Sequence, residues 1–432
     1  MTPKKSKKTA PALVGVAVPD RAEIVRLPNG VRVVVEPVPT VQSVAAGVWV
    51  DTGSRDESEA EAGLTHFIEH MVFKGTMKRR AHHIASRMES VGGYLNAFTT
   101  KEHTCYYARG LAEHAFRALD TVTDLVAAPT FPDGEIPKEQ EVVIEELKMY
   151  EDQPEDLIFD RMEALVYDGH ALGRPIIGYE ETVRSFDKRA LTDFLGTHYG
   201  PEKLIVTVAG NVRPDKVVKM ADKMLGHLAP RPVPTRAAPG SFEPRRHDER
   251  RAIQQAHLAL STRVFDIHHQ DRTVLGVLNT ILGGGMSSLL SQNVREKYGY
   301  CYTIYSYTNH YTDSGDFGVY VATDEAKTAH TERLIFRELD RLAAAPVSAQ
   351  RLRQAQAQVK GGMLLGLENL SSRMNRLGRQ VLAFDRVLTV DEMAAEVDRV
   401  AVEDVHRLAK TLNDPAIYSR VLLLPDGTDE EG

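Results

Sequence analysis

His66-Phe67-Ile68-Glu69-His70 is the stretch that decides how the chain is read. Two imidazoles stand four residues apart, with a carboxylate beside the second. On a helix, positions i and i+4 lie one turn apart on one face, so both rings can reach a single ion. Glu69 is three residues from His66 and projects near the same face, within reach of a water activated by that ion. The flanks predict a helix. Ser58-Glu59-Ala60-Glu61 has capping-box spacing. Leu64, Phe67, Ile68, Met71 and Val72 recur at i, i+3, i+4, i+7 and i+8. At about 100° per residue, that apolar stripe points almost opposite to the histidines. One face is expected to enter a core while the other offers a metal site. A histidine pair on a helix is commonly plain surface, and a catalytic zinc takes three protein ligands plus an open position. A third ligand is therefore required.

A chain of 432 residues is too long for one ordinary core, so at least two domains are expected. Its composition is globular, and a net charge of -7 argues against nucleic acid as a partner. Cys105 and Cys301 do not make a disulfide framework. No stretch approaches the apolar length needed to span a bilayer, so no membrane partner is expected. Lys4, Lys5, Lys7 and Lys8 precede a short apolar run that ends at Pro19-Asp20 without a small-x-small cleavage site. Residues 1–20 read as a disordered basic tail, and the cytoplasm as the compartment.

Val31 to Glu36 and Val44 to Val50 read as strands. Ile84 to Val91 reads as a helix closed by Gly92-Gly93. Tyr94 to Tyr107 reads as two strands joined near Thr100-Lys101-Glu102, followed by a helix from Leu111 to Ala127. Lys138 to Tyr150 is a helix entered through Pro137. That helix is rich in glutamate: Glu139 and Glu146 are seven residues apart on one face, with Glu141, Glu145 and Glu151 beside them. Helix geometry alone leaves open which of these, if any, is the third ligand, and an acidic solvated face is an equal reading.

Helical patterns run from Leu157 to His198, with a break at Gly173-Arg174-Pro175. Leu204 to Val212 is a strand and Val217 to Leu228 a helix. A Pro-rich stretch opens at Ala229. The expected division is therefore 21–228 as a zinc-binding domain, 229–250 as linker and 251–432 as a second domain. This second half reads as a weak repeat of the first. Gln255 to Thr262 stands for Val44 to Val50, Thr273 to Leu282 for the histidine helix, and Thr303 to Tyr307 with Phe317 to Thr323 for the strand pair. Gly283-Gly284-Gly285 stands where the first half has its histidines, so the repeat cannot bind the same metal.

His-x-x-Glu-His inverts the common zincin order and is the inverzincin signature. With the duplication around it, the chain resembles the pitrilysin-type zinc metallopeptidases, in the branch of mitochondrial processing peptidase and its bacterial relatives. The resemblance runs from about Val31 to Leu424. It implies an α+β fold of two homologous domains, with antiparallel-rich sheets flanked by helices. It implies one zinc per chain, held by His66, His70 and Glu146, which follows His70 by 76 residues. It implies Glu69 as the catalytic base and Glu139 as the acid supporting the ligands. Gly92 to Thr99 resembles the family's edge strand, which makes Asn96, Ala97 and Phe98 substrate-binding by strand addition. Arg295 and Tyr302, seven apart, resemble the family's C-terminal Arg/Tyr pair that meets substrate near the scissile bond. Tyr298 and Cys301 stand where relatives vary.

The expected function is thus a zinc endopeptidase that cuts unfolded peptides inside a chamber closed by a homodimer. The alternatives are a zinc-bearing subunit that needs a different partner chain, and a non-catalytic scaffold of the same fold. The scaffold is disfavoured because ligands, base and Arg/Tyr pair occur together. The different partner is disfavoured because one chain carries both halves of the site.

Overall fold

The computed structural model describes residues 22–426; the basic tail read at 1–20 lies outside them. Two sheets carry the fold. The first contains β1 (Ile24–Arg26), β2 (Arg32–Pro37), β3 (Ser43–Val50), β4 (Tyr94–Thr99), β5 (Thr104–Leu111) and β6 (Leu204–Gly210), in the order β1-β2-β6-β3-β5-β4. The second contains β7 (Arg246–Arg251), β8 (Ala256–Val264), β9 (Cys301–His310), β10 (Gly315–Thr323) and β11 (Ser419–Pro425), in the order β7-β11-β8-β10-β9. From β2 onward the two orders are the same. β2 and β6 pair parallel, as β7 and β11 do, and the remaining contacts are antiparallel. The weak repeat in the sequence is a duplicated topology. The fold is α+β, two mixed sheets flanked by helices.

Helices cover both sheets. In the first half these include α1 (Leu64–Met71), α2 (Ala81–Glu89), α3 (Ala115–Ala127), α4 (Ile136–Glu151) and α5 (Pro154–Val166). Leu64, Phe67, Ile68 and Met71 of α1 are fully buried, as the stripe requires, in a core shared with β3, α3 and α4. The two halves exchange helices. Leu157, Ile158, Met162 and Val166 of α5 pack on the second sheet, against Ala259, Tyr320 and Val421. In return the helix Leu370–Phe384 lays Met374, Leu377 and Val381 on the first sheet, around Trp49. Gly378 allows that contact: a methyl there would lie 2.2 Å from the Trp49 ring. Each sheet thus buries one face against an element from the other half.

Three readings of the sequence need correction. The Ser58–Glu61 box closes a short 3-10 turn, Glu59–Glu61, and α1 itself starts after Gly63, whose φ of 93° suits glycine. Leu111 ends β5 rather than opening a helix; a 3-10 turn intervenes and α3 begins at Ala115. β7 starts at Arg246, inside the stretch read as linker, because Arg246 to Arg251 pair in parallel with β11. Among the described residues no helix is long and apolar enough to cross a membrane.

Candidate metal centre

α1 is a short helix whose two faces are set by its sequence. With the apolar stripe buried, His66 and His70 turn the other way, towards α4. The contact is made by Glu146 Oε2, 3.5 Å from His70 Nε2 and 3.9 Å from His66 Nε2. One ligand atom from each of the three residues lies within 4.8 Å of the others, the one such group among the described residues. Three donors about 2.0–2.1 Å from a tetrahedral zinc would stand about 3.3 Å apart. The two Glu146 spacings, 3.5 and 3.9 Å, are slightly wider than that.

The donor set is prepared for a cation. Burial, followed by the neighbouring His70, pushes His66 down to about 3, so its ring is neutral and presents a lone pair. His70 Nδ1 lies 2.9 Å from Glu139 Oε1. A carboxylate only accepts, so Nδ1 carries the proton and Nε2 is left to face Glu146. Burial works against a charged His70, but the Glu139 bond and the charges of Glu146, Glu139 and Glu69 together outweigh it and raise its pKa. Burial also opposes the Glu139 carboxylate, yet the hydrogen bonds from His70 and Lys74 keep it ionised, with Lys74 Nζ 2.5 Å from its second oxygen. The structure therefore places Glu139 directly behind His70.

Glu69 lies in the same cavity as the three ligand residues, a space of about 460 Å³. Burial raises its pKa, while the Thr99 hydroxyl, donating to Oε2 at 2.5 Å, partly offsets the shift. A buried carboxyl whose pKa is raised and which is held by one donor is suited to take up and release a proton.

One wall of the cavity is β4, the terminal strand of its sheet. Ala97, Phe98 and Thr99 line the space. Asn96 does not: its side chain accepts the Ala97 N–H at 2.9 Å and donates to the Tyr94 hydroxyl at 2.6 Å. It thereby covers a main-chain donor beside the free edge, which restrains unwanted strand pairing. Arg295 and Tyr302 lie together, with the guanidinium 5.3 Å from the ring centre, and Tyr302 is 80% exposed. Neither lines the metal cavity of its own chain.

Several residues of this site carry no local signal in the sequence. Glu57 is fully buried and accepts the N–H groups of Gly63 at 2.9 Å and Thr65 at 2.7 Å, so it caps the helix that carries the histidines. Thr99 and Lys74 support Glu69 and Glu139. Asp156, Asp160 and Glu163, on α5, add acid to the far wall of the cavity. Burial, then Glu163, pushes Asp160 up to about 6. Lys101 answers Glu163 at 2.7 Å. Only long-range folding brings these groups to the histidines; a partial hint was that α4 and α5 are both acid-rich.

Comparison with known proteins agrees with this geometry. Residues 32–180 match the family Insulinase (Peptidase family M16), and residues 185–359 match the Peptidase M16 inactive domain. An uncharacterized zinc protease of Bacillus subtilis is 39% identical over 399 residues, covering 92% of this chain and 97% of that protein. An uncharacterized zinc protease of Mycobacterium tuberculosis is 38% identical over 407 residues, 93% of each chain. The fold is that of a protease from Helicobacter pylori, with TM-score 0.89 at 21% identity over 94% of this chain and 100% of that one. It is also that of a peptidase M16 inactive domain from Pseudomonas fluorescens, with TM-score 0.87 at 17% identity over 95% and 100%. Sequence similarity of this extent, over both halves and through the histidine motif, places the chain in peptidase family M16, the insulinase family.

Proposed function

We propose that the chain is a zinc endopeptidase that hydrolyses extended peptides, with one zinc held by His66, His70 and Glu146. The observation that carries this reading is the convergence of three ligand atoms within 4.8 Å in a cavity that also holds the Glu69 carboxylate and is walled by a free strand edge. Zinc bound there supplies a Lewis acid that makes water nucleophilic near neutral pH and draws charge from a peptide carbonyl. Glu69 takes the proton from the attacking water as the C–O bond forms, then returns it to the leaving nitrogen as the C–N bond breaks. Thr99 holds the Glu69 carboxylate in place. Glu139, through Nδ1 of His70, keeps that ring in the ligating tautomer.

Substrate selection follows from the walls. A peptide pairing with Tyr94 to Thr99 must be extended, and Asn96 must release the Ala97 N–H for it to do so. Compact folded proteins are therefore poor substrates. The acids of α5 favour peptides with lysine or arginine near the scissile bond. Arg295 and Tyr302, outside the cavity of their own chain, are assigned to the cavity of a second copy. There they would donate hydrogen bonds to the substrate carbonyl, so the working unit is a homodimer.

The test is incubation with a mixed peptide library, with and without a chelator, read by mass spectrometry. Internal cleavage that stops with chelator and returns with zinc is expected. Cleavage indifferent to chelator, or no cleavage by the zinc-loaded protein, would remove the reading.

A further inference from the structure

A second cavity in the first half, of about 390 Å³, shares no lining residue with the metal site. Lys78 and Arg79 reach it from the loop after α1, His83 and Arg87 from α2, and Arg117 from α3. The remaining lining groups are the hydroxyls of Ser86 and Ser90, and among the described residues no carboxylate lines it. Two carboxylates lie behind the wall. Asp120 accepts from Arg79 and, at 2.6 Å, from Arg87. Asp124, itself buried, accepts from Arg79 and, at 2.6 Å, from the Thr76 hydroxyl. Four permanent cations thus face two carboxylates, which leaves an excess of two positive charges in a chain whose net charge is -7.

The cations are of two kinds. Arg79 and Arg87 are fixed from behind by the shared Asp120, so their remaining N–H groups are already oriented. Among the described residues Arg117 has no carboxylate partner, only a long contact of 3.4 Å to the Arg87 carbonyl, and Lys78 is 3.7 Å from Asp124 with 60% of its side chain exposed. Oriented guanidiniums, two further cations and hydroxyls, with the acids set behind them rather than on the cavity lining, are the chemistry that recognises a polyvalent oxyanion. Phosphate, with three terminal oxygens in fork geometry, fits best. We propose that this cavity binds the phosphate group of a small soluble molecule. Its cations come from three neighbouring segments and are gathered at one small depression, which suits a compact ligand rather than a polyanion, which needs a long basic stripe.

The position has a consequence for the edge strand. α2 runs through Gly92-Gly93 into β4, and the Gly93 N–H bonds back to the Met88 carbonyl at 2.8 Å. A phosphate bridging α2 and α3 would tie down the element that precedes the strand lining the metal cavity.

The experiment is calorimetric titration of the zinc-loaded protein with inorganic phosphate and pyrophosphate, at ionic strength held constant with chloride. The same titration is run on Lys78→Ala/Arg117→Ala, which leaves the Asp120 and Asp124 pairs of Arg79 in place, and on the milder Arg117→Gln. Saturable binding by the wild type is expected, at least tenfold weaker in the double variant and weakened in the same direction by Arg117→Gln. Equal binding by wild type and Arg117→Gln would put the anion on the metal instead and overturn the proposal, and so would no saturable binding at millimolar pyrophosphate. Sedimentation with phosphatidylglycerol vesicles, lost in the variants, without pyrophosphate binding, would assign the site to a lipid headgroup and overturn the soluble ligand.

Discussion

Residues 32–210 and 246–425 build sheets of the same strand order, and the two halves use the space beside their edge strands differently. In the first half α1 stands off β4. The Glu69 carboxylate meets the Thr99 hydroxyl across the gap, and a cavity of about 460 Å³ remains. In the second half the helix Arg272–Gly283 closes on β9. A methyl group at Gly283 would lie 2.2 Å from the Ser306 nitrogen, and the Ser306 hydroxyl donates to the Asn279 carbonyl at 3.1 Å. Glycine where the first half has histidine both removes the ligands and lets the helix fill the space they would need. The same frame therefore supports a reaction centre in one copy and a closed wall in the other, and the difference lies in a few side chains rather than in topology.

Five substitutions probe that contrast. The largest effect belongs to the first half. Glu69→Gln should keep its zinc and lose roughly 10²–10⁴ in turnover, whereas Glu146→Gln should lose zinc. Metal analysis beside peptide kinetics separates them, and a Glu69→Gln protein without metal would show the roles to be misassigned. In the second half Gly283→Ala should lower unfolding stability by about 1–3 kcal/mol through overpacking, with zinc content per folded chain unchanged. A loss of metal from that change would mean the halves are not separable in this way.

Smaller effects are expected at the cavity wall and at the helix cap. Asp160→Asn should reduce kcat/KM about tenfold, or ~1.4 kcal/mol, for peptides with arginine or lysine near the cut, and much less for uncharged peptides. An equal loss for both classes would make Asp160 a packing residue. Glu57 gives a pH signature. Burial raises its carboxyl from 4.5 to about 8, against the N–H groups of Thr65 and Gly63 that favour the charged form. The folded chain then holds that proton more tightly than the unfolded one. This stabilisation is fully present below about 4.5 and is lost as pH rises through about 8. Melting temperatures across that interval should fall less steeply for Glu57→Gln than for the wild type; parallel curves would contradict the assignment.

Much of this molecule was legible in the sequence, for a physical reason. The α1 stripe, the Gly92-Gly93 stop, the strand pair that follows and the second-half repeat are local patterns, and local patterns survive in one dimension. Glu146 was less accessible. Helix geometry left it among five glutamates, and only resemblance to a known family singled it out before the structure set its carboxylate against both imidazoles. Glu57, Thr99 and Lys74 were not legible, since each acts on a group that folding alone brings near. The Ser58 box misled because its spacing is satisfied by a single 3-10 turn, while α1 is capped from Glu57 instead. The exchange of α5 and the helix Leu370–Phe384 between the sheets leaves no trace in periodicity, because an amphipathic helix does not specify which sheet it covers.

We propose that one half supplies the metal ligands and base while the other half, from a second chain, supplies Arg295 and Tyr302. Mixing singly inactive variants tests it most directly. Glu69→Gln and Arg295→Ala should each be nearly inactive as homodimers. After subunit exchange, demonstrated by differential tagging, activity should return, because a mixed dimer has one site with Glu69 from the Arg295→Ala chain and Arg295 from the Glu69→Gln chain. Proven exchange with no return of activity would mean that each chain completes its own site.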